Sequence, residues 1–259
     1  MAPEVVVEQR GATLVVTIDR PARRNAVNQS VALAIAAAMD WLDADPALRV
    51  GIITGGGGCF CAGMDLIAFL DDERPEIPGR GFAGVTETPP RKPLIAAVEG
   101  FALAGGCELA LACDLIVAAE NASFGLPEVT RGLVAGSGGL VRLPRRIPPA
   151  IALEYALTGE RMDARTAHGW GLVNRITAPG AALDGALALA ESIVKNGPFA
   201  VEMTKRIVVE SPSWTSDETW RRQAPLVESV LATDDAREGA RAFAEKRAPR
   251  WSGTGARSA

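Results

Sequence analysis

One histidine in 259 residues removes most of the usual catalytic and metal-binding vocabulary. A Ser-His-Asp triad would have to rely on His168 alone, and no Gly-x-Ser-x-Gly is present. The four cysteines, Cys59, Cys61, Cys107 and Cys113, form no Cys-x-x-Cys pair, so a zinc site is not expected. Cys107 and Cys113 read as small buried hydrophobes, and four scattered thiols fit a reducing, cytoplasmic setting. Aromatic residues make up only 5% of the chain, so the core has to be built from Ala, Val, Leu and Ile. There is no Walker loop and no Gly-x-Gly-x-x-Gly after a strand, which argues against nucleotide cofactors. The net charge of -4 gives no general attraction to nucleic acid or to an anionic membrane. The longest uncharged apolar run, Val31 to Met39, is nine residues, well short of the roughly 20 needed to span a bilayer. The opening MAPEVVVEQR is acidic within four residues and does not read as a signal peptide.

The richest stretch runs from Leu94 to Glu128. Its first 26 residues are apolar or glycine except for Glu99, Glu108 and Asp114. Burying an ionised acid costs several kcal/mol unless it is paired, hydrogen-bonded or neutralised. Glu108 follows Gly105-Gly106 at the start of an apolar helix, and Glu128 follows Pro127 on a turn. Such an arrangement suggests two carboxylates meeting in one apolar pocket. The plainer readings are a Glu108 satisfied by backbone or an arginine, and a solvated Glu128.

Along the chain, Val5–Val7 and Leu14–Ile18 read as a hairpin around Arg10-Gly11. Asn28 or Ser30 can cap a helix over SVALAIAAAMDWLDAD, and RVGIITG reads as a buried strand. Residues 73–92 carry prolines, glycines and charges and read as an irregular, mobile insert with a short helix near Phe82–Glu87. LIAAVEG, DLIVAA and LVNRI are further strands, and beyond about residue 180 only helical patterns remain. The alternation of strands and helices predicts an α/β fold.

Two glycine-bearing loops, Cys61-Ala62-Gly63-Met64 and Ala104-Gly105-Gly106, each follow a strand and open a helix. Free N–H groups at helix starts bind anions. Two of them aimed at one oxygen would form an oxyanion hole, each donor worth on the order of 3 kcal/mol. Glycines that only permit close strand–helix packing are the alternative.

The pieces DRPARRNAVN, GIITGGGGCFCAGMDL, KPLIAAVEGFALAGGCELALACDLIVAAENASFGLPE, GSGGLVRLPRRI, ALTGERMDARTAHGWGLVN and FAEKRAPRW occur in one order over essentially the whole chain. In these the chain resembles the enoyl-CoA hydratase/isomerase (crotonase) family. GFAGVTE, LPRRIPPAI and EGARAFAEKRAPRW make it similar to the carnitinyl-CoA dehydratases within it.

The resemblance implies a crotonase (ClpP/crotonase-like) α/β spiral of ββα repeats over residues 1–195, with a helical trimerisation region over 196–259. It implies Glu108 and Glu128 as the acid/base pair and the N–H groups of Met64 and Gly105 as the oxyanion hole. It places the substrate's coenzyme A against Ala22, Arg24, Ala62, Asp65, Leu66, Gly136 and Phe243, with Lys246 reaching a CoA phosphate on a neighbouring subunit. No separate cofactor and no metal are implied, because CoA enters as part of an acyl-CoA thioester. The partners implied are copies of the chain in a homo-trimer or a hexamer built as a dimer of trimers, with neither nucleic acid nor membrane. The activity implied is hydration of a 2-enoyl-CoA. Carnitinyl-CoA dehydration, enoyl-CoA isomerisation and a non-catalytic acyl-CoA- or RNA-binding role are the alternatives. The presence of both acids favours hydration over isomerisation.

Three positions depart from the family pattern. Ala104 stands where a third glycine is frequent, Met64 where alanine is common, and Ala135 where proline often precedes Gly136. Met64 is expected to keep its N–H as a donor, while its bulk should alter the acyl pocket. The insert at 71–92 and Met64 are expected to set acyl specificity, with Phe82 and Glu87 candidates for a quaternary ammonium group.

Overall fold

The computed structural model describes residues 3–253. Residues 1–2 of the leader-free N-terminal reading and 254–259 of the predicted C-terminal region lie outside the described residues. The chain forms two compact units. One comprises the residues up to Pro90 together with Leu94–Ala190, and the other Arg91–Pro93 with the residues from Glu191 onward.

The first unit begins with β1 (Val5–Arg10) and β2 (Thr13–Ile18), an antiparallel hairpin. Next come α1 (Gln29–Ala44), β3 (Val50–Gly55) and the five-residue α2 (Leu66–Leu70). A two-stranded ribbon follows, β4 (Glu76–Ile77) with β5 (Gly81–Phe82). Then come β6 (Leu94–Val98), β7 (Phe101–Leu103), α3 (Gly105–Ala112), β8 (Leu115–Ala119) and β9 (Ser123–Gly125). A 3₁₀ turn over Pro127–Arg131 leads on to α4 (Gly139–Arg146) and α5 (Pro149–Thr158). The unit closes with β10 (Met162–Asp163), α6 (Ala164–Gly169), β11 (Arg175–Thr177) and most of α7 (Ala182–Val194).

The main sheet has the order β1-β2-β3-β6-β8-β11 and is parallel from β2 onward. Parallel strands covered on both faces need continuous apolar sequence. That is why LIAAV of β6 is buried at every position. A second sheet takes β7, β9 and β10. The successive pairs β6-β7 and β8-β9 each send their first strand to the main sheet and their second to the other. The run β6-β7-α3 is the clearest ββα unit, and it delivers Glu108. This two-sheet arrangement is the one the resemblance implies.

Helix α1 is capped by Asn28, whose side chain accepts from the Val31 N–H. It buries Val31, Ile35, Met39 and Leu42 at helical spacing, each worth about 1.5–3 kcal/mol of apolar burial. It packs so closely on β3 that a Cβ at Gly51 would come within 2.7 Å of Leu42.

Two sequence expectations change. Residues 82–87 form turns rather than a helix, with the Val85 N–H bonded to the Phe82 carbonyl. They are not a loose excursion either, because Phe82, Ala83, Val85 and Thr86 are all buried. The apolar side chains anchor the turn in the core, and its glycines and flanking prolines only shape it. The short strands β7, β9 and β10 were not legible, because two or three residues carry no period.

In the second unit, α8 (Pro198–Glu210), α9 (Ser216–Leu231) and α10 (Asp234–Ala244) follow in sequence. Within the stretch beyond residue 180 that reads as helical, Ser216–Ala244 is divided into two helices. Thr233 breaks it, accepting the Ala236 N–H as an N-cap. Among the described residues no helix is long and apolar enough to cross a membrane.

Candidate active site

The three acids of the apolar stretch have separate fates. Glu99 accepts the Ala182 N–H at the start of α7 (2.9 Å), and Asp114 accepts the Leu94 N–H (2.7 Å). Glu108 remains. It lies on α3 at 3% exposure, and its Oε1 accepts two backbone N–H bonds, from Ser137 (2.7 Å) and Gly139 (2.9 Å). Among the described residues, Oε2 accepts none. The glycines of the 136–139 loop are what allow the approach: a Cβ at Gly139 would lie 2.9 Å from the Glu108 Cγ. The plain reading of a backbone-satisfied Glu108 thus holds for one oxygen only.

Glu128 sits on the 3₁₀ turn that Pro127 opens. Its Oε2 is buried and has no hydrogen-bond partner among the described residues. An unpaired buried polar atom costs about 1–3 kcal/mol, so it marks a place where stability yields to something else. Burial pushes the Glu128 carboxyl above the ordinary carboxylate range. Burial also raises the Glu108 carboxyl, opposed by its two backbone hydrogen bonds and by Arg142, and reinforced by the charge of Glu128. The structure thus brings Glu108 and Glu128 into one electrostatic neighbourhood.

The two glycine loops also converge. Gly63 has φ +102°, and a Cβ there would lie 3.1 Å from the Gly105 nitrogen and 3.0 Å from the Ala104 Cβ. Met64 is fixed by its neighbours, because the Val27 N–H donates to Gly63 O (2.8 Å) and the Asp65 N–H to Val27 O (2.9 Å). Ala104 is held at φ 51°, ψ −128°, a conformation L-residues rarely adopt. It turns the chain so that α3 begins at Gly105. Among the described residues, neither the Met64 N–H nor the Gly105 N–H has an acceptor. Phe82 closes the wall over Gly105, where a Cβ would meet the ring tip at 2.6 Å.

The other expected contacts fall in two groups. Ala22 and Arg24 are exposed on the turn at 20–25, and the Arg24 carbonyl accepts the Ala62 N–H (3.1 Å), so these two loops adjoin. Leu66 is exposed at the start of α2, and Gly136 is exposed beside Ser137. Asp65 is already engaged. Its Oδ1 caps α2 through the Ile67 and Ala68 N–H groups, and its Oδ2 pairs with Arg20 at 2.9 Å. Phe243 and Lys246 belong to the second unit and are exposed. Glu87 is exposed and Phe82 is buried.

Two contributors were not singled out from sequence. Asn25 is fully buried with φ 57° and ties the 20–25 loop to the glycine turn, donating to Gly56 O (2.9 Å) and Cys59 O (2.5 Å). The other is Arg142, which faces Glu108 from α4. A polar residue between Arg20 and the strand-end glycines was the available signal for the first, and an arginine four residues before the buried Arg146 for the second. His168 is structural, its Nδ1 2.8 Å from the Val173 carbonyl. Burial pushes the Cys61 and Cys107 thiols up to about 12, leaving them inert.

A two-sheet ββα spiral, paired amides and a buried glutamate pair define a class, and the comparisons agree with it. The profile of the enoyl-CoA hydratase/isomerase family matches residues 8–254, and the chain belongs to that family. The chain is 45% identical over 262 residues to a carnitinyl-CoA dehydratase of Salmonella typhi, covering 98% of this chain and all of the relative. Among solved structures, an enoyl-CoA hydratase from Mycobacterium tuberculosis H37Rv is 60% identical with a TM-score of 0.96, covering 97% of this chain and 100% of that one. A carnitinyl-CoA hydratase from Mycobacterium avium is 45% identical with a TM-score of 0.79, covering 98% and 100%.

Proposed function

We propose that the protein is an enoyl-CoA hydratase, adding water reversibly and syn across the 2,3 double bond of a 2-enoyl-CoA thioester. The observation that carries this reading is the unpartnered, buried Oε2 of Glu128 beside a Glu108 anchored through one oxygen only. The thioester oxygen accepts from the N–H groups of Met64 and Gly105. They stabilise the enolate-like charge that develops as C3 is attacked. Glu108 takes a proton from water, and Glu128 delivers one to C2. Proton transfer from positioned carboxyls contributes about 10²–10⁴-fold.

Coenzyme A runs past Ala22, Arg24, Ala62 and Leu66 on the adjoining loops, with Gly136 near the acyl end. The Asp65 side chain acts indirectly, holding α2 and the Met64 loop. Phe243 and Lys246 serve a neighbouring subunit's CoA within a homo-trimer or dimer of trimers, which light scattering tests. The four free cysteines support a cytoplasmic setting.

A second reading, carnitinyl-CoA dehydration, is favoured by the end-to-end 45% identity to enzymes of that name. A panel of crotonyl-CoA, longer 2-enoyl-CoA esters and crotonobetainyl-CoA decides between them. Glu108→Gln and Glu128→Gln should each lose most crotonyl-CoA hydration while still binding CoA esters. Near-wild-type turnover in either variant would end the pair assignment, and affinity without product on any ester would point to a binding protein.

A further inference from the structure

Helix α4 carries two inward arginines one turn apart. Arg146 donates to the carbonyls of Leu111, Cys113 and Asp114, and so completes the C-terminal end of α3. Arg142 does something else. One of its nitrogens donates to the Thr86 carbonyl on the buried turn after β5, and the other to the Ser137 carbonyl at 3.3 Å. Ser137 is the residue whose N–H holds Glu108, and the Gly139 N–H supplies the second bond. Between them, Gly138 has φ +98°, and a Cβ there would fall 2.1 Å from Arg142 Nη1. The glycine is therefore the condition for the guanidinium's position.

We propose that Arg142 is a positioning residue: by bridging the Thr86 and Ser137 carbonyls it fixes the loop whose two N–H groups orient the Glu108 carboxylate. This rests on the reading of Glu108 as the base. The bridge ties that base to the same turn that places Phe82 on Gly105, so the acid/base side and the carbonyl side of the site share one support.

The charge acts in the same direction as the geometry. Glu108 faces Glu128 from the 3₁₀ turn, Cys107 on its own helix and Arg142 from α4. Burial and Glu128 favour the protonated acid, whereas Arg142 and the two N–H bonds favour the carboxylate that can accept a proton from water. Arg142 in turn faces Arg145, Arg146 and Cys113. Among the described residues, Arg142 is the cationic side chain whose charge acts on Glu108.

The test uses the full-length protein and two readouts. Infrared titration follows the protonated-carboxyl band of Glu108, assigned by its loss in Glu108→Gln, and needs no turnover. Steady-state hydration of crotonyl-CoA gives kcat and KM. In Arg142→Met the Glu108 band should persist to higher pH than in wild type. Its kcat should fall by about tenfold or more while KM stays within about threefold, as for a group acting through the base. Arg142→Lys keeps the charge but replaces the rigid fork of two nitrogens with a single flexible ammonium, so its titration should return close to wild type while kcat stays low. An Arg142→Met protein that titrates as wild type overturns the proposal. If that variant does not fold, Arg142→Lys decides alone, and a wild-type kcat in it overturns the proposal. If the wild-type enzyme hydrates no ester, the assigned activity fails, and the infrared titration still decides whether Arg142 supports Glu108.

Discussion

The tip of the Phe82 ring rests on the backbone of Gly105, so closely that a methyl group on that glycine would lie 2.6 Å from Cζ. The aromatic ring and the amide proposed to hold the thioester oxygen are therefore one packing unit. Gly105→Ala should push the helix start away from Phe82 and cost about 10²–10³-fold in kcat/KM, the scale for losing one oxyanion donor. Adding Phe82→Ala should recover part of that loss by freeing space. Wild-type kinetics in Gly105→Ala would remove this amide from the mechanism.

Ala104 holds a backbone conformation that glycine adopts without strain. A non-glycine residue there costs roughly 1–2 kcal/mol, and glycine would return some of that as unfolded-state entropy. Ala104→Gly should therefore raise stability by up to about 1 kcal/mol in denaturant melts. A clear loss of stability would show that the Ala104 methyl, 3.0 Å from a Cβ at Gly63, packs favourably.

Both active-site carboxyls titrate above the ordinary range. A base must be ionised to work, so hydration should fall on the acid side at a pH higher than an ordinary glutamate gives. Glu128→Gln removes a like charge, and the Glu108 band should then titrate at lower pH. An unchanged midpoint would mean that the two carboxyls do not sense each other.

Arg20 and Asp65 form a largely buried pair at 2.9 Å, and Arg20 also reaches Glu4 at 2.7 Å. Asp65→Ala leaves Arg20 with Glu4 as its carboxylate partner and uncaps α2. Losing a helix cap costs about 0.5–2 kcal/mol, so a drop in Tm of several degrees is expected. Acyl-CoA affinity should weaken with it, because Met64 precedes the lost cap. A Tm within a degree or two of wild type would place the pair in free exchange with solvent.

In the second unit Glu238 accepts from Arg247 and from the Arg250 N–H, and its carboxyl is lowered to about 2. A lowered carboxyl adds stability above the unfolded value of 4.5, and that stability is lost as pH falls toward about 2. Glu238→Gln should flatten the pH dependence of thermal unfolding across that window. Parallel wild-type and variant curves would exclude the linkage.

Much of the site was legible because its chemistry needs local sequence. A carboxylate two residues past a Gly-Gly pair, inside a largely apolar run, marks itself by the cost of burying it. The same logic flagged Glu99 and Asp114, and only the contacts separate the three. Phe82 and Thr86 were misjudged because prolines and glycines around them resemble a surface loop, whereas burial depends on what the rest of the chain packs above them. Arg142 looked like one of several basic residues in LVRLPRRI, since nothing local says which arginine turns inward.

Local sequence alone determined the strands of the main sheet, the main helices, the two glycine-opened helix starts and the two acids, because hydrophobic period and backbone freedom act within a few residues. Tertiary packing decided which acid faces the cavity, which amides lack a partner and what supports them. Those properties arise between segments tens of residues apart, where the energy of a buried charge or an unmet N–H depends on neighbours that the local pattern does not contain.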